Sequence, residues 1–135
     1  MPIVTTIEGR IAQVAIDRPE KRNTLSSELC KDLAREFLEL NDDTRVRSIV
    51  LCGHNNVFCA GLDIEEQLAE NTPIFNEFQK VIDALDALSK PVVAAVSGPA
   101  VSQGAAMLYH CDLVFAGEHA LFSMPGLALG QTPRY

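Results

Sequence analysis

The sequence contains no apolar run that approaches the roughly 18 residues needed to span a membrane. Its first residues, MPIVTTIEGR, include neither a basic stretch nor an apolar stretch, so we expect no signal peptide. Basic residues are also scarce, because 11 lysines and arginines stand against 18 aspartates and glutamates, and the net charge is −7. No basic patch is available to neutralise the phosphates of a nucleic acid. These absences favour a cytoplasmic protein that binds neither nucleic acid nor membrane.

The spacings that indicate disulfides or metal sites are lacking as well. The four cysteines, at positions 30, 52, 59 and 111, form no CxxC pair, so we expect reduced thiols. Cys52 and Cys111 lie in apolar segments, which predicts that both are buried. The three histidines are spaced like no known metal site, so no metal is predicted.

What the chain does contain is a repeated unit of apolar strand, small-residue turn and helix. With 135 residues and 47% hydrophobic content, it is long enough for one globular domain, residues 1–135. The predicted order is ββα-βα-βα-ββ, which is typical of an α/β fold. Helices are expected after Ser26 or Ser27, after Pro73 and over Gly104–Tyr109. The first has a predicted buried face at helical spacing, made of Leu29, Leu33, Phe37 and Leu40. The second places its apolar residues on one side, namely Phe75, Phe78, Ile82, Leu85 and Leu88. The predicted strands are Ile3–Ile7, Ile11–Ile16, Ser48–Cys52, Val92–Val96, Asp112–Ala116 and Ala120–Met124.

Two of these units place small residues where a strand turns into a helix. One turn is Phe58–Asp63 and the other follows Val92–Val96 and leads to Gly104. Free N–H groups and the positive end of a helix dipole meet at such turns, which favours the binding of a developing negative charge. The sequence therefore predicts one anion site with two walls.

Four motifs in register resemble the crotonase superfamily, the enoyl-CoA hydratases and isomerases. They are DRPEKRN at 17–23, FCAGLDI at 58–64, KPVVAAVSG at 90–98 and CDLVFAG at 111–117. The stretches GPAV at 98–101 and LGQTP at 129–133 are closest to the Δ3,Δ2-enoyl-CoA isomerase branch. The resemblance covers Ile3 to Tyr135 as the N-terminal half, or slightly more, of a family member.

The resemblance implies a spiral of ββα turns that binds an acyl-CoA thioester as substrate, with no other cofactor. It implies an enoyl-CoA substrate of the fatty-acid-oxidation type and an oxyanion hole formed by the backbone N–H groups of Ala60 and Gln103. It implies a homo-oligomer, a trimer or a dimer of trimers, built by helices that would follow this segment. The residues that it places along the CoA groove are Arg18, Arg22, Asn23, Ala60, Gly61, Leu62, Asp63 and Ile64.

The sequence departs from the family at its catalytic acids. The two glutamates of the hydratases correspond by register to Ala106 and Gly126, and the single glutamate of the isomerases corresponds to Arg134. None of these residues transfers a proton at neutral pH. Asp63, Glu65 and Glu66 are alternative bases, although acids at a helix start usually interact with the helix dipole. A non-catalytic domain that binds acyl-CoA or a protein partner is therefore the main alternative.

Two further expectations come from the second half of the chain. The stretch AVSQG at 100–104 resembles a nucleophile elbow, in which Ser102 would attack with His110 or His119 as base. The last strands have apolar faces that nothing later in the sequence covers, which predicts self-association or an absent segment. The side chains concerned are Phe115, Leu121, Phe122, Leu127 and Leu129.

Overall fold

The computed structural model describes residues 2–130, except for the side chains of Leu127 and Leu129. Seven strands and four α-helices follow one another in this range. The strands are β1 Ile3–Glu8, β2 Ile11–Ile16, β3 Ser48–Gly53, β4 Val92–Val96, β5 Pro99–Val101, β6 Leu113–Ala116 and β7 Leu121–Ser123. The helices are α1 Ser27–Asp42, α2 Ile64–Gln67, α3 Ile74–Ala87 and α4 Gln103–Ala106. Short 3-10 turns occupy Pro19–Lys21, Met107–His110 and Pro125–Leu129.

The main sheet has five strands in the order β1-β2-β3-β4-β6. Strands β1 and β2 form an antiparallel hairpin around Gly9, whose φ is +60°, and all later pairs are parallel. Parallel neighbours require a helical connection on one side of the sheet, and α1 and α3 supply it. Strands β5 and β7 form a second, two-stranded parallel sheet. The predicted α/β spiral is confirmed, and the predicted strands that correspond to β2, β3, β4 and β6 lie in the main sheet.

Helices α1 and α3 pack against each other and cover one face of the main sheet. Ser26 begins α1 by accepting a hydrogen bond from the N–H of Leu29. The Lys90 ammonium donates to the carbonyl oxygens of Leu40 and Asp43 and so caps the other end. The predicted apolar stripe of α1 is buried. It consists of Leu29, Leu33, Phe37 and Leu40.

Three local predictions are wrong. Phe75 does not share the buried side of α3, because it is 38% exposed while Ile74 and Val81 are fully buried. The last small-residue helix begins at Gln103 and passes into a 3-10 turn at Met107. Cys52 and Cys111 are only half-buried, and the fully buried thiols belong to Cys30 and Cys59.

The predicted apolar surface at the end of the chain is present. Strand β6 is exposed along its whole length, and Phe115 is 64% exposed. Leu121 and Phe122 of β7 are 54% and 51% exposed. The predictions for Leu127, Leu129 and Arg134 lie outside the described side chains. Within residues 2–130, no helix has the length and hydropathy of a membrane span.

Candidate functional site

The first wall of the site is the turn from Cys59 to Asp63, which leads from the loop after β3 into α2. Cys59 forms a parallel bridge with Ala100, and Leu62 forms one with Leu25. Leu25 donates its N–H to the carbonyl oxygen of Gly61, at 2.8 Å, and accepts the N–H of Asp63, also at 2.8 Å. Because alternate residues of an extended strand point their backbone groups in opposite directions, the N–H of Leu62 faces away from Leu25.

The second wall is the start of α4. Ser102 precedes the helix with φ +52° and ψ −118°, a backbone conformation that residues other than glycine rarely adopt. It is held there by donating its N–H to the carbonyl oxygen of Ser123, at 2.8 Å. The sharp turn makes Gln103 the first residue of α4, so its N–H has no partner within the helix.

The two walls touch. Val101 donates its N–H to the carbonyl oxygen of Cys59 at 2.9 Å. A Cβ atom added to Gly104 would lie 2.2 Å from the same oxygen, so only glycine allows this approach. Gly61, with φ +103°, faces the other wall, and a Cβ there would lie 3.6 Å from Oε1 of Gln103. The structure thus brings the two small-residue turns of the sequence together.

The structure does not support Ala60 as one of the two donors. Its N–H donates to the carbonyl oxygen of Arg22 at 3.2 Å and is therefore already engaged. The N–H of Gly61 lies 3.5 Å from the sulfur of Cys59. The next N–H, that of Leu62, has no acceptor within residues 2–130, and the same holds for Gln103. The sequence did not reveal that the N–H of Ala60 is engaged, because this depends on which N–H the loop before α1 uses.

The loop Asp17–Asn23 lies beside the first turn, and most of its polar groups are engaged internally. Asn23 is fully buried, and its amide donates to the carbonyl oxygens of His54 and Val57. The Arg18 guanidinium lies 3.2 Å from the Asp63 carboxylate. Arg22 is exposed, has φ +51°, and its side chain forms no hydrogen bond or ion pair with the described residues.

The remaining predicted groove residues differ in exposure. Ile64 is 68% exposed at the start of α2 and presents an apolar side chain to solvent beside the turn. Leu62 is 2% exposed and belongs to the core. Asp63 is 6% exposed, because it accepts the N–H groups of Glu65 and Glu66 and caps α2. Asp63 and Asn23 therefore shape the site from inside the fold.

Comparison with known proteins shows the family of the chain. Residues 6–135 match the family model described as Enoyl-CoA hydratase/isomerase. The chain belongs to this family. It is 35% identical to a short-chain-enoyl-CoA hydratase of Clostridium acetobutylicum, over 98% of this chain and 53% of that protein. It is 32% identical to a 2,3-dehydroadipyl-CoA hydratase of Escherichia coli, over 97% and 52%.

Two solved structures have a similar fold. An enoyl-CoA hydratase/carnithine racemase of Magnetospirillum magneticum superposes with a TM-score of 0.91 at 28% identity, over 100% of this chain and 53% of that one. Pseudomonas aeruginosa OdaA superposes with a TM-score of 0.88 at 36% identity, over 98% and 54%. The chain therefore spans about half the length of the relatives that it matches.

The acids near the site of this family member are mostly committed to structure. The Glu66 carboxylate accepts hydrogen bonds from the N–H and hydroxyl of Ser27 and so helps to begin α1. The Glu65 carboxylate is exposed and lies 3.4 Å from the Lys21 ammonium. Ala106 is buried in α4, in a position that supplies no proton. Gly126, in the last 3-10 turn, supplies none either.

Within the described residues, neither candidate histidine is placed as a base for Ser102, the alternative nucleophile. The ring of His110 lies 2.7 Å from the Asp86 carboxylate at the far end of the segment, and His119 lies beside Glu118 in an exposed turn. Neither histidine forms a hydrogen bond with Ser102 in the described part of the chain. Within residues 2–130, no group of three or more possible ligands is arranged to hold a metal ion.

The thiol beside the turn is kept neutral. Burial raises the pKa of Cys59 from 9.0 to about 12, although its contact with Gly61 works in the opposite direction. Burial likewise raises the pKa of Cys111 to about 12. A neutral thiol is a poor nucleophile, so Cys59 contributes packing and a contact with the turn.

Proposed function

We propose that this chain binds an acyl-CoA thioester and stabilises negative charge on the thioester oxygen with the N–H groups of Leu62 and Gln103. The observation that carries the proposal is the contact between two turns that each offer an unpaired N–H. The bond from Val101 to Cys59 and the close approach at Gly104 fix the two turns relative to each other. Donors fixed in this way need no reorganisation when charge develops, which is the basis of oxyanion stabilisation.

The chemistry of a thioester explains why two such donors matter. Removing a proton next to the carbonyl, or adding water to a conjugated double bond, moves charge onto the thioester oxygen as an enolate. Each preorganised donor contributes about 3 kcal/mol to stabilising such a transition state. The small residues Gly61 and Gly104 keep side chains away from the place where the oxygen would lie.

For the CoA portion, Arg22 is the best-placed cation. It is exposed beside the turn and forms no ion pair in the described range, whereas Arg18 is engaged by Asp63. We expect Arg22 to interact with a phosphate of CoA and Ile64 to offer apolar contact. Asn23 and Asp63 hold the loop and the turn in place, and Ala60 links the two through its bond to Arg22.

The expected substrate class is an enoyl-CoA, and the expected rate of hydration is low. General acid–base catalysis contributes about 10²–10⁴-fold, and the two positions that supply it in hydratases are Ala106 and Gly126 here. The same substitutions favour the second candidate, a domain that binds acyl-CoA without turnover. Comparing 2-enoyl-CoA with 3-enoyl-CoA as substrates distinguishes hydratase activity, isomerase activity and binding alone.

The assembly and the cellular site are part of the proposal. The exposed side chains of Phe115, Leu121 and Phe122 support a homo-oligomer, because association buries apolar surface of this kind. Trimers or dimers of trimers are the expected forms, and the expected location is the cytoplasm. Sedimentation at several concentrations tests the first expectation, and a monomer at all concentrations would contradict it.

An amide-to-ester replacement tests the two donors directly, since it removes one N–H and leaves the side chain unchanged. The ester at Leu62 is expected to weaken binding of a CoA-linked enolate analogue by about 10²-fold. It should lower the free energy of unfolding by about 1 kcal/mol or less, because the Gly61 carbonyl that accepts from Leu25 becomes a weaker acceptor. The ester at Ala60 is the control. It should lower the free energy of unfolding by about 1 kcal/mol or more, because the bond to Arg22 is lost and the Cys59 carbonyl that accepts from Val101 is weakened, and it should affect binding less than the ester at Leu62 does. The reverse pattern would assign the donor to Ala60.

A further inference from the structure

A groove beside the hairpin of β1 and β2 has no role in the proposed function. It lies between the outer edge of β1 and one flank of α1, and its volume is about 250 Å³. Ile3 and Thr5 line it from the strand. The residues that line it from the helix are Asp32, Arg35, Glu36 and Glu39.

The outer edge of β1 carries unpaired backbone groups. Within residues 2–130, β1 pairs with β2 alone and is the end of its sheet. Asp17 donates its N–H to the carbonyl oxygen of Pro2, which marks the pair 2–17 as hydrogen-bonded. In an antiparallel ladder such pairs alternate, so Val4, Thr6 and Glu8 bond to β2. The N–H and carbonyl groups of Ile3, Thr5 and Ile7 therefore point outward.

The helical wall of the groove is acidic. Positions 32, 36 and 39 lie on one flank of α1, and all three are carboxylates. The Arg35 guanidinium lies 3.1 Å from the Asp32 carboxylate and offsets one of them. Glu36 and Glu39 form no ion pair within the described residues. A cation that enters the groove would thus meet two uncompensated carboxylates.

We propose that this groove, formed by the outer edge of β1 and the acidic flank of α1, binds an extended basic segment of another protein by strand addition. The backbone of that segment pairs with Ile3, Thr5 and Ile7, which gives main-chain affinity. Its alternate side chains point toward α1 and are lysine or arginine, because the wall is acidic. This activity is independent of acyl-CoA binding.

The spacing of the charges fits an extended partner. Alternate residues of a strand are about 6.6 Å apart. Asp32 and Glu36 are separated by about 6 Å along the helix axis, because each residue rises about 1.5 Å. Because β2 and β3 are parallel, the helix that connects them, α1, runs opposite to β2. Strand β1 also runs opposite to β2, so α1 and β1 run in the same direction. The two uncompensated carboxylates, Glu36 and Glu39, are closer together, about 4.5 Å along the axis. Long lysine or arginine side chains at alternate positions of the segment can reach both of them.

A labelled peptide with lysine at every second position, and valine and threonine between, is the probe. Binding to the full 135-residue chain is followed by fluorescence anisotropy at low and high salt. The double substitution E36K/E39K should weaken binding about tenfold, as expected for two partly exposed ion pairs. The double substitution E70K/E118K changes the net charge equally, away from the groove, and should have little effect. A peptide with proline at its centre should bind poorly, since it lacks a ladder donor.

Amide hydrogen exchange provides the decisive readout. The peptide should protect the N–H groups of Ile3, Thr5 and Ile7, while those of Val4 and Thr6 are already protected by β2. Equal binding by E36K/E39K, or binding without protection of the three outward amides, would overturn the proposal. Concentration-dependent protection of these amides without peptide would also overturn it, because a second copy of the chain would then occupy the edge.

Discussion

The contact between the two turns can be tested by substituting Gly104 with alanine. The new Cβ would lie 2.2 Å from the carbonyl oxygen of Cys59, whereas ordinary contacts to such an atom exceed 3 Å. The start of α4 must therefore move away by about 1 Å, and the bond between Val101 and Cys59 must weaken. Overpacking of this kind typically costs about 1–3 kcal/mol. A displacement of about 1 Å at a reacting group costs about 10²-fold in rate.

Urea unfolding and acyl-CoA binding measure the two effects of Gly104→Ala separately. Gly117→Ala is the matched control, because its Cβ would lie 3.6 Å from the nearest atom and its backbone is not strained. We expect Gly117→Ala to change the free energy of unfolding by less than about 1 kcal/mol. If Gly104→Ala unfolds and binds acyl-CoA like the unsubstituted chain, the two turns do not form one site.

Three further predictions concern stability. Lys90→Met removes the cap on α1 and should lower the free energy of unfolding in urea by about 1–2 kcal/mol; an unchanged midpoint would contradict the cap. Ser102→Gly relieves the strained backbone and should raise that free energy by about 1–2 kcal/mol, whereas Ser102→Ala should not. Burial raises the pKa of Cys59 to about 12, so its thiol ionises first in the unfolded chain. The contribution of this thiol to the free energy of unfolding is constant below pH 9. It falls by about 1.4 kcal/mol per pH unit as the pH rises from 9 toward 12. Cys59→Ala should flatten that decline.

The fold was predictable from the sequence where periodicity and burial agree. The stripe Leu29, Leu33, Phe37 and Leu40 has helical spacing and is buried, and the run Val92–Val96 is a central strand. Strand β5 was not predicted, because Pro99–Val101 is three residues long and is extended only by pairing with β7. Phe75 was assigned to the buried side of α3 because its apolar character fits the stripe. The packing of α1 instead selects Ile74 and Val81.

The location of the candidate site was predictable from the sequence, but the N–H groups and side chains that form it were only partly predictable. Small residues at two turns indicated that backbone groups would be accessible, and the structure brings those turns together. The choice between Ala60 and Leu62 depends on a long-range hydrogen bond to Arg22, which no local pattern encodes. Arg18 was placed along the CoA groove, yet its guanidinium is paired with the buried carboxylate of Asp63. Charge alone did not distinguish Arg18 from Arg22.

The distribution of carboxylates explains why binding and turnover are separate questions for this chain. Asp63 caps α2 and pairs with Arg18, and Glu66 caps the start of α1. Both carboxylates are therefore occupied by donors of the chain itself. Of these three acids, Glu65 is the one whose carboxylate has only an exposed partner, Lys21. If this chain does turn over an enoyl-CoA with its own residues, Glu65→Gln should lower the rate, while Lys21→Met should leave it unchanged or raise it. Loss of binding together with rate in Glu65→Gln would instead assign Glu65 to the shape of the site.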